Sequence, residues 1–252
     1  MGKKALILAS NLGLWAEELQ GPWDALTKAG IDVTLATRTG KKPLPLAFSM
    51  DPDFFDPVQQ AKVNTPELVA RAKALLAGGA WDNPIKIADA KMDDYDALVM
   101  VGGPGAPLDL TGNPAVHALI VQAYTSGKLI GALCYAVGAL VWARMPDNFK
   151  RSVIYGKIIV AHPREWDFTG DLPYPLLGAT DDNPGTNLVT PGFNYPLRVI
   201  VEDAVGPDGR VLSDPTTSRQ CPAVVYDHPF VTALSVESST AYGDKLARLI
   251  NR

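Results

Sequence analysis

Lys128-Leu129-Ile130-Gly131-Ala132-Leu133-Cys134-Tyr135-Ala136-Val137-Gly138-Ala139-Leu140 sets an apolar, strand-forming run directly before one cysteine and small, helix-compatible residues directly after it. The pattern predicts a strand, a sharp turn and a helix, with Cys134 at the corner. Such an elbow is tight and strained, which is why its neighbours are small. A thiol there faces the unpaired N–H groups and the dipole of a helix start, which favour thiolate over thiol. Cys134 is therefore a candidate nucleophile. The competing possibility is a small buried hydrophobe, the commoner fate of a lone cysteine, so the rest of the chain must supply partners.

Working outward, Ala5–Ala9 is a continuous apolar strand of the kind buried on both faces of a parallel sheet. Trp15–Ala29 has helical spacing and ends in Lys28-Ala29-Gly30, a cationic last turn with a glycine stop. Ile31–Ala36 is a second strand, which makes the opening a βαβ unit with parallel strands. Thr39–Asn64 then breaks the pattern with several prolines and adjacent Phe54-Phe55. It reads as an ordered excursion within an insertion of about residues 39–84, its aromatics Phe48, Phe54, Phe55 and Trp81 forming either a satellite core or a roof over a pocket. Thr65-Pro66-Glu67 opens a short helix to about Leu76, with threonine as cap and proline at the first position.

Ala97–Val101 is a third core strand ending in Gly102-Gly103-Pro104-Gly105, and Pro114–Ser126 is helical. Beyond the elbow helix, Val153–Ala161 reads as a strand ending at His162. Arg198–Leu212, around Gly206-Pro207-Asp208-Gly209, gives a hairpin signal. Ala223–Tyr226 and Phe230–Leu234 flank a second turn, and Ser238–Ile250 closes the chain as an amphipathic helix. The expected fold is α/β: one doubly wound, mostly parallel sheet with helices on both faces, an insertion after strand two, a C-terminal β-hairpin, and all 252 residues in a single domain.

The composition is that of an ordinary globular protein, 47% hydrophobic and 20% charged with net charge −4. Scattered Lys and Arg give no nucleic-acid footprint and no polybasic membrane patch. Two distant cysteines, Cys134 and Cys221, have neither metal nor redox spacing, which suits a reducing compartment. The apolar run after Lys3-Lys4 ends at Ser10-Asn11 without a cleavage site, and no segment is long enough to span a bilayer. A cytoplasmic protein without cofactor, metal site, nucleic-acid partner or membrane is expected.

Active sites of doubly wound folds lie at the carboxyl ends of the parallel strands. The first-strand loop with Glu18, the glycine turn Gly102–Gly105, Cys134 and His162 all fall at such ends, so three titratable side chains can converge there. The glycine turn lacks a G-x-G-x-x-G pattern or a Lys-Ser/Thr continuation, which argues against phosphate binding. His117 in a surface helix, His228 beside Pro229, and Cys221 in Gln220-Cys221-Pro222 are read as structural or inert.

At these residues the chain resembles the ThiJ/PfpI superfamily, which includes parkinsonism-associated deglycases, glyoxalase III enzymes, heat-shock chaperones and isocyanide hydratases. The carriers are Leu14-Trp15-Ala16-Glu17-Glu18-Leu19-Gln20-Gly21-Pro22, Val101-Gly102-Gly103-Pro104-Gly105 with Asp109-Leu110, Ala132-Leu133-Cys134, and Phe230-Val231-Thr232-Ala233 with Ser238-Ser239. The resemblance implies a flavodoxin-like, class I glutamine amidotransferase-like fold and a homodimer. It also implies that Glu18, four residues before Pro22, hydrogen-bonds the nucleophilic sulfur, and that amides of Gly103 and Tyr135 form an oxyanion pocket. Tyr135 stands where glyoxalase III relatives place histidine after the cysteine, and Pro104 where they often have histidine. Val160-Ala161-His162-Pro163 instead resembles the parkinsonism-associated branch, which makes His162 the candidate base, with Glu165 or Asp167 to orient it.

The function implied is a cofactor-independent cysteine enzyme acting on a small reactive carbonyl. Two alternatives stand beside it: hydration of another small electrophile such as an isocyanide, and a non-enzymatic redox-sensing or chaperone role through oxidation of Cys134. A glutamine amidotransferase would need a late His-x-Glu pair, which the sequence lacks.

Overall fold

Strand β1 (Lys4–Ala9) is buried at every position after its first, and β4 (Ala97–Met100) throughout. Such unbroken burial requires cover on both faces, as parallel sheets have. In the computed structural model, which describes residues 2–167, 172–177, 187–190 and 195–252, these strands are central neighbours in a seven-stranded sheet. Its other strands are β2 (Asp32–Thr37), β3 (Ile85–Lys86), β5 (Leu129–Leu133), β8 (Val224–Asp227) and β9 (Phe230–Ala233). The order is β8-β9-β5-β4-β1-β2-β3, with every pair parallel except β8 and β9.

Helices α1 (Ala16–Lys28) and α6 (Ser239–Ile250) pack against each other, while α3 (Pro114–Thr125) and α4 (Val137–Trp142) form a second packed pair. Helix α2 (Pro66–Ala77) lies beside α1 and begins as its sequence indicates: the Thr65 hydroxyl accepts from the Leu68 amide at 3.4 Å, and Pro66 occupies the first turn.

The excursion after β2 docks on the first loop, where the Leu46 amide donates to the Leu14 carbonyl at 3.0 Å. Trp15, Leu46, Val63, Leu176 and Val236 form a buried cluster apart from the main core, with Phe48 and Phe54 packed against it. The Phe48 and Phe54 rings stack at 4.7 Å. They are thus a satellite core, whereas Phe55 is exposed and Trp81 belongs to the main core.

Two expectations are corrected. The segment read as a hairpin over Arg198–Leu212 is a helix, α5 (Leu197–Val205), followed by strand β7 (Arg210–Leu212). Leu197, Val201, Ala204 and Val205 are its buried residues, a 3.6-residue period that outweighs the short alternation, and Gly206 at φ +65° ends it in left-handed backbone. The hairpin at Asp227-His228-Pro229 is present as β8–β9. The strand read over Val153–Ala161 is confined to β6 (Ile158–Val160) because Val153–Gly156 is a turn that buries Val153 and Ile154 and exposes Gly156. β6 pairs with β7 outside the central sheet, and its edge is held by the Thr232 hydroxyl accepting from the Val160 amide at 3.0 Å.

Candidate active site

Strand β5 ends at Leu133 in extended backbone, Cys134 turns into the left-handed region at φ +59°, and the chain then enters α4 through a helical turn at Cys134–Ala136. A non-glycine residue held there is strained by roughly 1–2 kcal/mol, which surrounding packing must offset. The side chain that results is 4% exposed.

The loops around it are tied together. The Gly105 amide donates to the Gly13 carbonyl at 2.9 Å, and the Asn11 amide to Asp109 Oδ2 at 2.8 Å, so the glycine turn is fastened to the first-strand loop. At Gly102 a Cβ would lie 2.7 Å from Glu18 Oε2 and 2.8 Å from Cys134 Cβ, so only glycine lets these two side chains meet. Gly103 follows at φ +97°.

Glu18, on the first turn of α1, is 1% exposed and lies in hydrogen-bonding contact with the Cys134 thiol. Burial pushes its carboxyl up to about 8, opposed by the contacts with Cys134 and the Gly102 backbone and reinforced by nearby Glu237 and Glu17. At neutral pH Glu18 is thus protonated and able to donate. The thiol is likewise pushed well above its ordinary value, first by burial and then by the Glu18 charge, while the backbone amides of Gly103 and Tyr135 pull it down. The readily ionised thiol suggested by the helix start is therefore corrected: removal from water outweighs the helix-end field. The two groups compete for charge. When Glu18 is neutral its repulsion vanishes, and two amides remain aimed at the sulfur.

His162 is 3% exposed and its ring meets Tyr135 edge-on, centroids 4.5 Å apart. Among the described residues no side-chain hydrogen bond reaches either ring nitrogen, so none links it to Cys134, Glu165 or Asp167. Burial pushes it down to about 4, with the Leu234 backbone opposing. Glu165 is exposed, and Asp167 is half-buried, its acidity weakened to about 6 by burial with the Leu197 backbone opposing.

Folded His162 stays neutral where unfolded His162 takes a proton, so the unfolded state binds more protons below about 6.5 and stability falls on acidification. Between neutrality and pH 4, wild type should lose roughly 3 kcal/mol more than His162→Gln, read from urea midpoints. Equal losses would contradict this.

Three neighbours were not legible in the sequence. Tyr195 carries a hydroxyl that donates to Thr111 Oγ1 at 2.8 Å and senses the charges of both Asp167 and Cys134. Glu17, on the first turn of α1, is 4% exposed and paired with Arg219. Glu237, 8% exposed, completes a group of carboxylates around Glu18. The remaining histidines have local partners, His117 Nε2 at 2.6 Å from the Thr111 carbonyl and His228 Nδ1 at 3.1 Å from the Tyr226 hydroxyl, and Cys221 is exposed. Among the described residues no helix is long and apolar enough to cross a membrane.

Comparison with known proteins gives concordant matches. The chain is 25% identical over 173 residues to the glutathione-independent glyoxalase hsp3102 of Schizosaccharomyces pombe, covering 64% of this chain and 68% of that protein. Among solved structures, the fold is similar to Rapid Encystment Protein 24 KDa of Francisella tularensis, with TM-score 0.68 and 17% identity over 98% of this chain and 99% of that one. It is also similar to glyoxalase III of Candida albicans, with TM-score 0.61 and 17% identity over 98% and 96% of the two chains. Drosophila melanogaster DJ-1beta aligns at TM-score 0.55 and 18% identity over 99% and 91%. At these identities the structural matches show the fold alone. The DJ-1/PfpI family model, however, matches residues 3–151, more than half the sequence and all of the region from β1 through the elbow, and the chain belongs to the DJ-1/PfpI family.

Proposed function

We propose that this protein is a glyoxalase-type enzyme that converts a small α-oxoaldehyde to a hydroxy acid with Cys134 as nucleophile and no added cofactor. The observation that carries this reading is the buried Glu18 carboxyl packed against the Cys134 sulfur at the elbow, with the Gly103 and Tyr135 amides on the same atom. The glyoxalase of Schizosaccharomyces pombe, similar over 64% of this chain, supports it. No particular observation favours an isocyanide hydratase or a redox-sensing chaperone.

With methylglyoxal, sulfur attacks the aldehyde carbon, the S–C bond forms, and the carbonyl oxygen takes a proton to give a hemithioacetal. The two amides stabilise the oxyanion as it develops; Glu18 gives its proton to that oxygen and takes up the proton released from the thiol as the S–C bond forms, so the carboxyl ends as it began. Transfer of the C1 hydrogen to C2 as a proton, through an enediol, turns the adduct into a thioester of lactate. His162 is neutral and sits one ring away from the elbow, which suits it to accept and return that proton. Water then cleaves the thioester, releasing lactate and regenerating the thiol, so the net change is addition of one water.

The test is formation of D-lactate from methylglyoxal by the purified protein without glutathione, followed by a chiral lactate assay. Lactate above the buffer rate is expected. A rate equal to buffer would overturn the assignment.

A further inference from the structure

Glu17, Glu18 and Glu237 are 4%, 1% and 8% exposed, and each carboxyl is pushed up by burial. Clustered carboxylates out of water repel and are costly to ionise together. The compensating cation is Arg219, from the loop between β7 and β8. Its guanidinium forks onto Glu17, Nη1 to Oε1 and Nη2 to Oε2 at 2.6 Å, and Nη2 also donates to the Val63 carbonyl at 2.6 Å. Val63 closes the excursion and Glu17 precedes Glu18 on α1. One side chain therefore joins three chain segments, 202 residues apart at the Glu17 contact, beside the acid that touches the sulfur.

We propose that Arg219 is a positioning residue of the site: through Glu17 it fixes the first turn of α1, and its charge sets how tightly the Glu18–Cys134 pair holds its protons. This rests on the roles assigned above to Glu18 and Cys134. The groups facing Glu18 from each packed element are Glu17 on its own helix, Cys134 at the elbow, the Gly102 amide, Glu237 before α6 and the Tyr242 hydroxyl on α6. Glu237 has its own donor, the Ser238 hydroxyl at 3.0 Å on Oε1, while among the described residues its Oε2 and Glu18 Oε2 have none. Arg219 is the cation whose charge acts on both Glu17 and Glu237.

A mechanical clamp and an electrostatic one give different results. Removing the cation leaves Glu17 as an uncompensated neighbour and makes deprotonation of the pair harder. Removing Glu17 leaves the cation uncompensated and makes it easier. A clamp without electrostatic effect weakens the site in the same way from either end.

The experiment is the rate of iodoacetamide labelling of Cys134 against pH, read by intact mass in a Cys221→Ser background, because Cys221 is exposed. Cys134→Ser in that background confirms where the label goes. At neutral pH Arg219→Gln should label about tenfold more slowly and Glu17→Gln about tenfold faster than the parent, with midpoints shifted up and down in pH respectively. The double variant should return to within about threefold of the parent. Shifts in the same direction, or unchanged profiles, would overturn the proposal. If Arg219→Gln does not fold, Glu17→Gln decides: faster labelling supports the proposal, and unchanged or slower labelling refutes it. Labelling needs no turnover, so the role of Arg219 is tested even in a protein that makes no lactate.

Discussion

Cys134→Ser is expected to reduce lactate formation from methylglyoxal by about a thousandfold or more while leaving the fold intact. Serine is close to cysteine in size, and the position needs a side chain that tolerates φ +59° in a buried corner. What changes is chemistry. A hydroxyl is far harder to deprotonate than a thiol, and burial together with Glu18 already opposes charge at this atom. The amides of Gly103 and Tyr135 would still polarise the substrate, so a small residual rate should persist, as when a nucleophile is lost but oxyanion stabilisation remains. Comparison of kcat/KM with the thermal midpoint separates the outcomes. Loss of rate at an unchanged midpoint is the expected result, and equal rates for the two proteins would remove Cys134 from the reaction.

Gly103→Ala should cost about 4 kcal/mol or more of stability, a large share of what holds a domain of this size together. Its backbone sits at φ +97°, where an L side chain is strained, and an added Cβ would fall 2.4 Å from the Trp15 amide nitrogen and 2.7 Å from the Leu14 carbonyl carbon. Those obstructing atoms are backbone and cannot rotate away. Relief would require separating the first-strand loop from the glycine turn, and so moving the Gly103 amide off the sulfur. Gly112→Ala is the control: nothing lies within 4 Å of a Cβ there, and the change should stay within about 0.5 kcal/mol. Urea midpoints of the two variants test this, and similar values for both would contradict the steric account.

The parts of the fold that could be read in the sequence are those fixed by neighbours along the chain. Ala5–Ala9 and Lys128–Leu133 announce buried parallel strands by unbroken apolar runs, and Cys134 announces the elbow by what stands on either side of it. Helix α5 escapes a local reading because a helical period and a short alternation coexist in nine residues, and only burial of Leu197, Val201, Ala204 and Val205 decides between them. The same limit governs the site. The helix-end field on Cys134 is a local property and was legible, whereas its desolvation depends on every layer packed above it and was not. Arg219 could not be matched to Glu17 because nothing in either local pattern anticipates a partner 202 residues away. His162 was legible at its strand end, but its lack of a hydrogen-bonded carboxylate was not.

The cluster of Trp15, Leu46, Val63, Leu176 and Val236 carries one more consequence. Because the excursion after β2 anchors mainly to this small island, with Met50 reaching the main core, it is close to a cassette. A change in its length would leave the pairing of β1, β2, β4, β5 and β9 untouched. Diversity among descendants should therefore concentrate in that cassette, while the sulfur-bearing corner stays where inheritance left it.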